Sequence, residues 1–174
     1  MLVSLRQSEP TPLKCKEKMS QEADDYIQSH KLLSNWNDEL EYLGYILAEI
    51  VDPHGLDERG FEWHQAADLP AIEKTVKQAS KKPNDRLSAV LSKAQRKELI
   101  RLMRKSREIR NAVAHHHTPC EQEMREMQHT KDELSGQLQS TIGLVASKFN
   151  IDHVSMLLYP DVLGCAVKPP SNKR

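Results

Sequence analysis

Aromatic side chains make up only 5% of this 174-residue chain and glycine occurs six times, too few for a sandwich or barrel of many short strands. No apolar run approaches the roughly 18 residues that a membrane-spanning helix needs. The first residues, MLVSLRQSEPTPLKCKEK, lack the apolar centre of a secretory signal, so none is expected. Cysteine is scarce and odd in number. Cys15, Cys120 and Cys165 lie far apart, which argues against a disulfide framework. A reducing, intracellular setting fits, cytoplasmic with the nucleus not excluded. Walker loops, dinucleotide fingerprints and paired-carboxylate motifs are also missing, and no cofactor is expected.

Net charge is +0, but the charges are segregated along the chain. Lys74 to Arg110 carries thirteen basic residues, opposed there by Asp85, Glu98 and Glu108 alone. From Glu17 to Glu73 the balance is acidic, with Glu22, Asp24, Asp25, Asp38, Glu39 and Glu41 among the carboxylates. Two readings follow: the halves neutralise each other in the fold, or the basic half meets a polyanion such as RNA.

Apolar spacing predicts an all-α, single-domain bundle of four to five helices over residues 21–160. Residues 1–20 read as a flexible leader and 161–174 as a flexible tail. Trp36, Leu40, Leu43, Leu47, Ile50 and Val51 make one apolar helical face, started by Ser34 or Asn35 and stopped at Asp52-Pro53. Asp68 to Ala79 repeats the pattern, and a shorter piece after Pro83-Asn84 carries Leu87, Val90 and Leu91. Ser92 and Gln95 have capping-box spacing and open a long helix from about Lys93 to His116. Thr118-Pro119 ends it, and Thr118, Pro119 and Glu121 read as cap, first-turn proline and box acid of the next helix. That helix runs through Met124, Met127, Leu134, Leu138, Ile142, Val145 and Phe149 to Asn150. An apolar piece, Val154 to Tyr159, is expected to follow.

At the end of the basic helix stands R-E-I-R-N-A-V-A-H-H-H-T-P, residues 107 to 119. Arg110, Asn111 and His115 within it form R-N-x-x-A-H. This string, placed at a helix end, resembles the signature of the HEPN superfamily (higher eukaryote and prokaryote nucleotide-binding domains). The resemblance covers about residues 30 to 160. HHHTP departs from the His-acidic-Tyr continuation that many members show. The resemblance implies a helical bundle, a homodimer, and metal-independent RNA cleavage through attack of a ribose 2′-hydroxyl. His115 would take the proton, Arg110 would stabilise phosphoryl charge, and Asn111 would orient one or the other. Arg104, Lys105 and Arg107 would bind the RNA.

Helix geometry alone points elsewhere. On a continuous helix His115 lies about 140° from Arg110, whereas His117 lies only about 20° away. The family pattern favours His115, and a site shared across a dimer removes the same-helix constraint. Two other readings stand beside it. One is a non-catalytic adaptor that binds RNA or a regulatory protein. The other is a metal site from His115, His116, His117 and Cys120, disfavoured because consecutive histidines splay around a helix.

Overall fold

Proline has no backbone N–H to lose at the first position of a helix, and α1 starts on one, running from Pro12 to Val51. The computed structural model describes residues 12–52, 54–61, 67–82 and 85–151, with side chains from Ala23 onward. The start expected at Ser34 or Asn35 is corrected: the helix begins within the segment read as a leader. Neither Gly nor Pro occurs between Leu13 and Leu33, so nothing there competes with continued helical hydrogen bonding. Leu33, Trp36, Leu40, Leu43, Leu47 and Ile50 are buried along one face.

Asp68 caps α2, Leu69–Ala79, by accepting the Ala71 N–H at 3.0 Å. Leu69, Ile72, Val76 and Ala79 enter the core. At Gly44 of α1 an added Cβ would sit 3.0 Å from Ile72, so this glycine sets how closely α1 and α2 approach. The piece after Pro83-Asn84 is a run of turns rather than a helix, yet it delivers Leu87 and Leu91 to the core.

Both arms of the Ser92–Gln95 box are formed, at 2.8 and 3.3 Å, and α3 runs from Lys93 to Lys105. The long helix expected from Lys93 to His116 is interrupted at Ser106. This buried serine turns its hydroxyl back onto the Met103 carbonyl at 2.9 Å, and such back-bonding bends a helix. The second half, α4, is Arg107–Ala114. α5 spans Glu121–Phe149, and its cap is Cys120 rather than Thr118. The Glu123 carboxylate takes the Cys120 N–H at 2.7 Å, which moves the box two residues along. Asn150 ends α5 in the left-handed region, φ 53. Val154 to Tyr159 and the tail lie outside the described residues.

The contacts fix the directions. Glu39 of α1 meets Ser135 at 2.7 Å and Lys131 at 2.9 Å. Farther along, Arg86 joins the Ile50 carbonyl to the Phe149 ring, so α1 and α5 run parallel. The Glu41 carboxylate accepts the Leu69 N–H, and α2 rises beside α1. α3 and α4 descend between them, because Arg96 reaches Ser80 while Arg110 reaches Asp68. The protein is an all-α bundle, and the end of α4 is delivered to the start of α5. Among the described residues, no helix is long and apolar enough to cross a membrane.

Two acids of α1 carry a cost. Burial raises the pKa of Glu41 and of Glu49, outweighing the hydrogen bonds that oppose it. Glu49 also keeps one buried oxygen, Oε1, without a partner. The Tyr45 hydroxyl beside it is pushed up to about 12, chiefly by burial. A carboxylate whose folded pKa exceeds its unfolded value weakens the fold when ionised. Stability from these groups therefore rises as pH falls through their folded pKa values. Glu49→Gln is expected to raise Tm by about 1–3 °C at pH 7 and to lose that advantage near pH 4, by thermal melts at both pH values. A lower Tm at pH 7 would contradict it.

Candidate functional site

The end of α4 is closed by two backbone bonds: His117 N–H to the Ala112 carbonyl at 3.0 Å, and His116 N–H to Val113 at 3.3 Å. This is the double closure of a Schellman motif, in which the residue after the cap turns left-handed. Here that residue is His116, at φ 51. A non-glycine residue held there is strained, on the order of 1 kcal/mol or more. The helix thus stops at His115, and the angular case for His117 lapses with it.

The three histidines receive different surroundings. His116 stacks on His30 of α1, ring centroids 5.3 Å apart, and shares a 3.3 Å hydrogen bond with the Tyr26 hydroxyl. It is a fastener between α4 and α1. His117 Nε2 lies 3.6 Å from Glu123. The pKa of Glu123 is lowered, first by the Cys120 N–H that it accepts and less by His117. His115 has no partner among the described residues and is exposed. It stands with Asn111 in an open cleft of about 830 Å³ between the end of α4 and the first turns of α5.

Arg110 does not enter that cleft. Its guanidinium turns the other way, to Asp68 at the start of α2, at 3.4 Å with both side chains well exposed. Within one chain, Asn111 and His115 are brought together and Arg110 is held apart from them. His116, His117, Glu108, Glu123 and Glu126 also line the cleft, with no Lys or Arg among the described residues, so a permanent positive charge for a phosphate has to come from outside it. Among the described residues, no group of three or more His, Cys, Asp or Glu is arranged to hold a metal ion.

The residues expected to bind RNA divide as well. Arg104 and Arg107 both reach Glu73 of α2, which is only 3% exposed. Lys105 is exposed on the opposite side, near Arg125 and His129. Glu73 was missed in the sequence. Its signal was there: it sits among Leu69, Ile72 and Val76, on the face that spacing assigns to the core. A buried acid at such a position calls for a cationic partner.

No protein-family model matches this chain. Neither a curated protein nor a solved structure is significantly similar to it.

Proposed function

We propose that this protein is a metal-independent endoribonuclease of HEPN type, active as a two-fold dimer. The observation that carries the reading is the freedom of His115. Of three adjacent imidazoles, His116 is fastened to α1 and His117 faces a capping carboxylate. All three line the cleft with Asn111, but His115 alone has no side-chain partner among the described residues. His115 accepts the proton of a ribose 2′-hydroxyl, and the 2′-oxygen attacks the adjacent phosphorus. The bond from phosphorus to the 5′-oxygen breaks, leaving a 2′,3′-cyclic phosphate, and the departing oxygen takes up a proton as a 5′-hydroxyl. Arg110 of a second chain supplies the positive fork that the acidic cleft lacks.

The test is direct. Purified protein incubated with single-stranded or looped RNA in EDTA is expected to give products ending in a 2′,3′-cyclic phosphate. Cleavage that stops in EDTA and returns with zinc would overturn the metal-independent reading. Binding without cleavage would favour the second reading, a non-catalytic adaptor. That reading draws on one observation of its own: Arg104, Arg107 and Arg110 are all engaged by α2 carboxylates and so already have a structural use.

A further inference from the structure

We infer that the cleft between α2 and α3, remote from His115, is the track that holds the phosphate backbone of single-stranded RNA. The inference rests on the RNA-directed reading above and moves the binding face away from Arg104, Lys105 and Arg107. The basic segment looks uniform in the sequence, but the structure divides it into paired and unpaired cations. Lys82 pairs with Asp52 at 2.7 Å, and the arginines are engaged as well. Arg86 is tied to the Ile50 carbonyl, Arg96 to Asp85, Arg101 to Glu98, Arg104 and Arg107 to Glu73, and Arg110 to Asp68. Lys77, Lys93 and Lys97 have no carboxylate within ion-pair reach among the described residues, and all three are exposed. They line one open cleft of about 840 Å³.

Their placement along the helices suits a linear polyanion. Lys93 and Lys97 are four residues apart, so they stand one above the other along α3, roughly 6 Å apart. Lys77 of α2 faces them across the cleft. Among the described residues Glu98 is its single carboxylate, and Arg101 already neutralises it through two bonds of 2.6 and 2.8 Å. Two unpaired lysines one turn apart, with a third across the cleft, match a polymer with one negative charge per repeat better than an acidic polypeptide, whose charges fall irregularly. Lys93 also sits in the first turn of α3, which holds no acid. A helix dipole disfavours a cation there. Its position weakens the isolated helix and is understandable as part of a surface for anions. Lys97 lies eighteen residues before His115, up to about 27 Å along the path of α3 and α4. The strand is therefore gripped well away from the bond to be cut.

The inference is tested with 2′-O-methyl oligouridine of about 20 nucleotides, long enough to fill such a groove. It cannot be cleaved, so the outcome is independent of catalysis. In fluorescence anisotropy across a salt series, K77A/K93A/K97A is expected to weaken binding by about 10-fold or more. The slope of log affinity against log salt should fall by about 2, three lost contacts at about 0.7 each for a single strand. Lys105→Ala should leave both nearly unchanged. All four lysines are exposed, so neither variant should melt below the wild type. Unaltered affinity and slope in the triple variant would overturn the assignment, as would an equal loss from Lys105→Ala alone. Displacement of the RNA by polyglutamate at matched charge, as effective as by unlabelled RNA, would overturn it in favour of an acidic polypeptide. Absence of cleavage by the wild type would sink the ribonuclease reading and leave these binding results standing.

Discussion

Removing both arginines from Glu73, as R104A/R107A, is expected to destabilise the protein by about 3 kcal/mol, a fall in Tm of about 6–12 °C. The reason lies in the unequal burial of the partners. Glu73 is 4% exposed in its side chain, whereas Arg104 and Arg107 are 56% and 41% exposed. Strip away the arginines, and a carboxylate is left in the core with neither water nor cation. Strip away the acid, and two arginines simply hydrate. Glu73→Gln should therefore cost only about 1 kcal/mol, since the amide oxygen still accepts a hydrogen bond. E73L/R104A/R107A should recover more than half of the loss, because an apolar side chain suits the site once the charges are gone. Urea and thermal melts of the three variants check the order. An R104A/R107A variant as stable as Glu73→Gln would mean that the carboxylate finds water or another partner.

Much of the fold was legible because it rests on spacing and caps. The stripe from Trp36 to Val51, the segment ending at Ala79, the Ser92–Gln95 box and the stop at Asn150 are each local signals, and each holds in the structure. What escaped depends on partners distant in the chain. Ser106 is an acceptable helical residue, and at the interruption its hydroxyl is turned back onto the Met103 carbonyl in a buried setting. The proline at 119 marks a boundary. The helix nevertheless closes earlier, because His116 is held in the left-handed region with its ring on His30 and Tyr26, more than eighty residues away in the chain.

At the candidate site the sequence places neighbours in the chain and not their distant partners. The string R-N-x-x-A-H marks Asn111 and His115, and they share a cleft. The string cannot say that Arg110 will turn to Asp68, since that depends on how α2 packs against α4. Nor can a run of basic residues tell a paired arginine from a free lysine. Pairing is decided by where Glu73, Asp68 and Asp85 come to lie once the bundle is assembled.

Catalysis across two chains is the central claim, and mixing two inactive variants tests it most directly. His115→Ala removes the proton acceptor, and Arg110→Ala the charge on the phosphoryl oxygens. Each alone should cost about 100- to 10,000-fold in cleavage rate. Because Arg110 and His115 point apart within one chain, each is taken to work with its counterpart across the two-fold axis. A dimer of one H115A chain and one R110A chain then contains one intact site and one doubly damaged site. Random mixing makes half of the dimers mixed, so RNA cleavage should return to about a quarter of the wild-type rate. A mixture no more active than its separate components would contradict a shared site.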